Sequence, residues 1–245
     1  MAEITKSEAI VLKKIKFSDS SLIVQLYTKD KGKISALLKG ARSAKSKIGG
    51  KIDLINHVEV IFYNKEEKDL QLVTQVNLID HYQNIKEDLE KIKYASSVCE
   101  LLIKLIPDHE VNDRIFRGTV RILKLINAAK NDEVLLFAQY LLFFTKEIGF
   151  EISFNNCSSC GKDLATVDGN AFSYSNGIVC NDCSEDKLLT FQFSEELFNL
   201  FKCLTTKNNI TSYKRSDAEN IIFILEKFLI YHNSDFKGIK SLQIL

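Results

Sequence analysis

The sequence predicts an α+β protein: a five-stranded β-barrel at the N-terminus, a helical domain behind it, and a small four-cysteine module set into the helices. Three observations carry this. The first eighty residues contain five short runs rich in β-branched and aromatic residues, separated by turn chemistry. From about Asp80 the apolar spacing changes to three and four residues, the period of one helix face. Four of the six cysteines fall in two Cys-x-x-Cys pairs.

The strands are expected at residues 9–12, 22–27, 33–38, 58–63 and 70–76. Ser18-Asp19-Ser20, Lys29-Asp30-Lys31-Gly32, Gly49-Gly50 and residues 64–68 supply the turns. Five short strands over this length fit a compact barrel of the OB type, whereas a β-sandwich usually needs about seven.

Leu89, Ile92, Ala95, Cys99, Leu102, Ile103 and Ile106 then share one helix face, and the only proline, Pro107, ends that helix. Asn112 or Asp113 can cap a second helix through Ala129, and Asp132 a third that stops at Gly149. The cysteine module interrupts from about residue 153 to 190. Ser194 caps the next helix, with Glu195 and Glu196 in a first turn that favours negative charge. Ser216 and Glu219 have the spacing of a capping box for a last helix, ending near His232. The expected organisation is therefore a barrel at 1–80, a helical domain at 81–152 and 191–245, and the module between them at 153–190.

Cys157-Ser158-Ser159-Cys160 and Cys180-Asn181-Asp182-Cys183 are nineteen residues apart, a zinc-binding spacing. Each tight Cys-x-x-Cys turn can supply two corners of a tetrahedron around a metal, and Gly161 permits the sharp bend after the second thiolate. Residues 170–179 read as a hairpin between the pairs, turning at Ser175-Asn176-Gly177. With all four ligands from the protein, no position stays open for water, so one structural Zn2+ is expected and catalytic zinc is not. Cys99 and Cys203 lie in apolar helical patterns and read as core.

The net charge of +1 conceals an asymmetry: residues 1–51 contain twelve Lys or Arg against four Asp or Glu. Eight of those cations crowd between Lys29 and Lys51, with Asp30 alone opposing them. A basic run after the third strand of an OB barrel points to a polyanion, because neutralised phosphates release their counterions. Lys33, Lys39, Arg42, Lys45, Lys47 and Lys51 are the expected nucleic-acid contacts, in a loop that small residues keep adaptable. Phe17, Tyr27, Phe62 and Tyr63 are candidate stacking platforms, and one of the four is expected to meet a base.

Other classes are disfavoured. Gly49-Gly50-Lys51 is followed by Ile52 rather than Ser or Thr, so no phosphate-binding loop of the Walker type is present. His57, His81, His109 and His232 are scattered without a companion nucleophile, and no enzyme is expected. No apolar run approaches the ~18 residues of a membrane span, and residues 1–16 lack a secretory apolar core, so the expectation is a cytoplasmic protein with no membrane partner.

At this point the order of parts resembles the RecO family of bacterial recombination mediators. The resemblance rests on Glu8-Ala9-Ile10-Val11-Leu12, the stretch Leu26 to Lys33, Lys39-Gly40-Ala41-Arg42-Ser43-Ala44-Lys45-Ser46, the two cysteine pairs around Phe172-Ser173-Tyr174, and Phe228-Leu229-Ile230-Tyr231-His232 followed by Lys240-Ser241. It covers nearly the whole chain. Two departures stand: Ile52-Asp53-Leu54-Ile55 lacks a proline common there, and Asn233-Ser234 replaces a usual glycine. The resemblance implies binding of single- and double-stranded DNA, annealing of complementary strands, partnership with RecR, and loading of recombinase onto strands coated by single-stranded-DNA-binding protein (SSB) in recombinational repair. It also implies a bacterial, nucleoid-associated location.

Arg114, Arg117 and Arg121 lie at i, i+3 and i+7 and form one cationic helix stripe beside Ile115, Val120, Leu123 and Ile126. Such a stripe suits the acidic, aromatic-ended tail of SSB. The competing reading of the whole chain is an RNA-binding OB protein of translation or ribosome assembly, which the basic loop alone would permit. A zinc nuclease would need an open metal position and carboxylate ligands, and neither is evident.

Overall fold

The computed structural model describes residues 3–43, 45–65, 68–165, 169–184, 190–206, 210 and 212–243. Ala44 of the basic segment, Glu66 and Glu67 of the expected turn, and residues 166–168 and 185–189 of the cysteine module lie outside the described residues.

Strands β1 (Glu3–Phe17), β2 (Ser21–Thr28), β3 (Gly32–Leu38), β4 (His57–Asn64) and β5 (Leu70–Asp80) close a barrel in the order β1-β2-β3-β5-β4. Every neighbouring pair is antiparallel except β3 and β5, which run parallel over Ser35–Leu37. This is the OB-type arrangement. β1 is far longer than its apolar run at 9–12, because its charged ends are held by backbone pairing, which no side-chain pattern reports. Its first half pairs with β4 and its second with β2, and the register slips between Val11 and Lys13 where the partners change. Such a bulge adds the curl that closure requires.

The interior follows the two-residue alternation of strands. Val24, Leu26, Ile34, Ala36, Leu38, Val58, Val60 and Phe62 all pack inside, at most 2% exposed. Phe62→Ala would leave a cavity and cost on the order of 3–5 kcal/mol.

Three helices follow: α1 (Gln83–Glu87), α2 (Leu89–Leu105) and α3 (Asp113–Ala128). Asp88 caps α2 by accepting from the N–H groups of Glu90 and Lys91, and Asn112 caps α3 by accepting from that of Ile115. α1 spans five residues, too few for a periodic signal in sequence. By compactness the chain divides into Met1–Ala129 with Lys240–Leu245, and Lys130–Ile239. Helices α1–α3 thus group with the barrel. Side-chain bonds explain the grouping. The Tyr27 hydroxyl donates to the Asn112 carbonyl at 3.4 Å, and Phe116 packs against the rings of Tyr27 and His57. Near the C-terminus, the N–H groups of Lys240 and Ser241 donate to the Glu100 carboxylate.

The second unit contains α4 (Glu133–Glu147), β6 (Asn170–Ser173), β7 (Gly177–Cys180), β8 (Thr190–Gln192), α5 (Glu195–Cys203) and α6 (Arg215–His232). Its sheet has the order β7-β6-β8, and β6 and β7 form the expected hairpin. Fully buried Phe172 lies against Phe193, Phe201 and Phe228, with ring centroids 5.5–6.4 Å apart, so aromatic packing anchors the module to α5 and α6.

Ser194 caps α5 as expected, accepting from the Leu197 N–H. Two other caps differ. Asp132 makes no side-chain capping bond and instead accepts from the Tyr213 hydroxyl. The Ser216–Glu219 box does not form, because α6 starts at Arg215, whose guanidinium holds Glu219 at 2.9 Å. Cys99 is buried and its thiol is pushed up to about 12 by that burial, whereas Cys203 is only half-buried. Among the described residues no helix is long and apolar enough to cross a membrane.

Candidate nucleic-acid interface and metal centre

The segment between β3 and β4 carries the basic run, and it is folded onto the barrel. Ala41, Ile52 and Ile55 are buried and Ile48 packs against the barrel core. The Ser46 hydroxyl accepts from the N–H groups of Ile48 and Gly49. Gly49 has no substitute here: a Cβ would meet the Ala41 carbonyl oxygen at 2.0 Å. Ile55 adopts φ 71°, a strained value for a β-branched residue, held in place by its buried side chain and its N–H bond to the Val11 carbonyl. The expectation of an adaptable loop is thus replaced by a braced one. Apolar residues point inward and leave the charged ones outside.

The six expected DNA contacts separate into three groups. Lys39, Arg42, Lys45 and Lys47 are exposed, and among the described residues none of them is in an ion pair. Arg42 spends one guanidinium N–H on the Ser18 carbonyl at 2.8 Å. Lys51 is half-buried and donates to the Val76 carbonyl, pinning the loop to β5. Lys33 is corrected. Only 6% exposed, its ammonium donates to the carbonyls of Ile103 and Ile106 and sits 3.4 Å from Asp108. It closes the C-terminal end of α2, where a cation suits the helix dipole, and it cannot also reach a phosphate.

Of the four candidate aromatics, Tyr27 and Phe62 are fully buried, while Phe17 is 48% exposed and Tyr63 is 38% exposed.

On α3, Arg114, Arg117 and Arg121 are all exposed. Arg117 pairs with Asp113 at 2.9 Å. Arg117 and Arg121 line a cleft of about 370 Å³ together with Glu8, Lys29, Phe116, Val120, Lys124 and Leu125, and Arg114 is not among its walls. Lys124, three residues beyond Arg121, extends the same cationic stripe, which the spacing of the three arginines alone does not mark. Glu8 and Lys29 come from the barrel, and no helical periodicity could bring them in. Behind Glu8 lies buried His57, whose Nε2 is 2.9 Å from the carboxylate. Burial, seconded by Lys124, holds that imidazole below its ordinary pKa against the opposite pull of Glu8 and Asp80.

The four expected metal ligands come together. The sulfurs of Cys157, Cys160, Cys180 and Cys183 all lie within 4.8 Å of one another, and those of Cys160 and Cys180 are 3.7 Å apart. A tetrahedron with ~2.3 Å metal–sulfur bonds has edges of ~3.8 Å, so the set fits one ion. Gly161 takes φ 76° and donates its N–H to the Cys157 carbonyl, closing the first turn. Burial pushes the Cys157 thiol up, but backbone N–H groups of Cys160, Cys180 and Ser159 outweigh it and bring it down to about 6. Hydrogen bonds with the Cys180 and Cys160 sulfurs, followed by burial, drive the Cys183 thiol up to about 12. A dication among the four sulfurs would favour their thiolate forms instead, so the cluster could hold a metal ion.

Two family models match this chain. Recombination protein O N terminal covers residues 1–82, and Recombination protein O C terminal covers residues 86–238. A DNA repair protein RecO from Chlorobium phaeobacteroides is 34% identical over 161 residues, which is 66% of this chain and 62% of that protein. The match therefore spans under two thirds of that relative's length. DNA repair protein RecO from Clostridium novyi is 27% identical over 98% of this chain and 93% of its own. The protein of that name from Desulfatibacillum aliphaticivorans is 28% identical over 100% and 97%. With one family model matching the barrel region and the other most of the remaining chain, the chain belongs to the RecO family.

Proposed function

We propose that this chain is a DNA-binding recombination mediator, which anneals complementary single strands and helps load recombinase onto SSB-coated DNA in recombinational repair. The observation that carries the reading is the set of four exposed cations, Lys39, Arg42, Lys45 and Lys47, presented by a folded loop on an OB-type barrel. Relatives named DNA repair protein RecO support the repair context.

Physically, two complementary strands repel through their phosphates. A rigid cationic surface that neutralises one strand lowers the cost of bringing up the second, so bases can pair. The loop needs no catalytic group, and the protein acts by binding rather than as an enzyme. The cysteine cluster holds one zinc ion, because four thiolates in a tetrahedral set favour it, and the ion stabilises the second unit without touching DNA. RecR and both single- and double-stranded DNA are its partners. The cleft bearing Arg117 and Arg121 takes the acidic tail of SSB, with Val120 and exposed Leu125 offering apolar surface to its aromatic end.

A strand-annealing assay with and without SSB, run over a salt series, tests this reading. Annealing that accelerates with protein and fades as salt rises is expected. Failure to anneal complementary DNA, together with preference for RNA in competition, would favour an RNA-binding role instead.

A further inference from the structure

We propose that Phe17 is the residue on which an unpaired DNA base stacks, held beside the phosphate-binding loop by Arg42. This inference rests on the DNA-binding reading above and adds to it a contact to the base itself.

Phe17 is the last residue of β1, opposite Ser21, at the tip of the hairpin that leads into β2. The chain turns there through Ser18 at φ 51°. That tip is not left to itself. The Arg42 backbone N–H donates to the Ser20 carbonyl at 2.8 Å, and its guanidinium donates to the Ser18 carbonyl, also at 2.8 Å. Both hydrogen bonds cross from the basic loop to the turn immediately after Phe17. The ring and the exposed cations therefore belong to one braced surface.

The outer face of the barrel continues the platform. Phe17 and Ile15 project to the same side of β1, and Ile15 lies opposite Ile23, which lies opposite Leu37 on β3. Ile15 is 47% exposed, and Ile23 and Leu37 are half-buried. Lys13 lies two residues before Ile15, and Lys39 two residues after Leu37. An apolar strip with one aromatic, bordered by cations, suits a strand whose bases face the protein and whose phosphates meet lysine and arginine.

The other three aromatics do not offer this. Tyr27 and Phe62 are closed inside the structure. Tyr63 is exposed but lies across from Ile4, next to the Glu3–Asn64 pairing, and Lys6 on that edge is taken by Glu59 at 3.1 Å. A stacked base there would bring its phosphates toward acid rather than toward the loop.

The test uses the full-length chain with an oligo(dT) strand and an abasic strand of equal length and charge. Phe17→Ala should weaken oligo(dT) binding about tenfold or more and leave abasic-strand binding unchanged, because only stacking is removed. Phe17→Leu should behave like Phe17→Ala, and Phe17→Trp should bind as wild type. The chain contains no tryptophan, so quenching of the Phe17→Trp emission by oligo(dT), and not by the abasic strand, reads the contact directly. Wild-type affinity of Phe17→Ala for oligo(dT), full rescue by Leu, or unquenched emission would each overturn the proposal while leaving DNA binding intact. If the wild-type chain held neither strand, the DNA-binding reading would fail and this inference with it.

Discussion

The ammonium of Lys33 donates to the carbonyl oxygen of Ile106 at 2.6 Å, joining the third barrel strand to the end of helix α2. Pro107 follows at once, so the helix cannot continue and its last carbonyls need another donor. The same ammonium serves Ile103 at 2.8 Å. Lys33→Met keeps the stem and removes the charge, stranding two carbonyls and Asp108. The expected loss is about 2–4 kcal/mol in denaturant unfolding, with affinity of the folded protein for oligonucleotides unchanged. A selective loss of DNA binding at full stability would mean that this lysine works on phosphate after all.

Removal of the metal should be felt locally. Cys180→Ser deletes one of four ligands and leaves its neighbours without a dication to favour their thiolate forms. Metal analysis should give one zinc per chain for the wild type and markedly less for the variant. Hydrogen exchange should rise through β6, β7 and the Cys157–Gly161 turn while the barrel strands keep their protection. A folded wild-type preparation free of zinc would contradict the assignment of that ion.

His57 gives stability a dependence on pH. Its folded pKa lies below the ordinary 6.5 because burial, first, and then Lys124 oppose the charged form. The unfolded chain therefore takes up this proton more readily than the folded one. The contribution is complete above 6.5 and is lost as pH falls through the folded value. Nδ1 has no hydrogen-bond partner, so protonation would add a second buried donor with nothing to meet it. His57→Gln keeps a donor for Glu8 and cannot charge in this range. Its melting temperature should fall less between about pH 7 and about pH 5 than that of the wild type. Equal falls in both proteins would assign the effect to other groups.

Arg117→Glu with Arg121→Glu should weaken binding of an acidic, aromatic-ended tail peptide by tenfold or more, on the order of 1.4 kcal/mol or above. Arg114→Glu should do much less, because Arg114 does not line the cleft. Titration of a labelled peptide measures both. Equal effects at all three arginines would favour a diffuse field over a defined cleft.

Much of this architecture could be read from the chain. Barrel strands announce themselves through buried alternation, as in Val58 to Phe62, and the cysteine pairs fix their own geometry by spacing. What escaped has common physical causes. The ends of β1 are held by backbone bonds, invisible to a hydropathy pattern. Lys33 looks like any other member of a basic run, because burial depends on where α2 ends some seventy residues later. Arg215 outcompetes the expected capping box for Glu219, a choice that spacing alone leaves open. Glu8 and Lys29 reach the α3 cleft from the barrel, through tertiary placement.

The most direct measurement is the salt dependence of single-stranded oligonucleotide affinity, comparing the wild type with Lys39→Ala, Arg42→Ala, Lys45→Ala and Lys47→Ala combined. Four phosphate contacts predict a slope of log affinity against log salt near −3, at roughly −0.7 per contact, and a loss of most of that slope in the quadruple variant. A variant that retained both the affinity and the slope of the wild type would show that polynucleotides are held elsewhere on the protein.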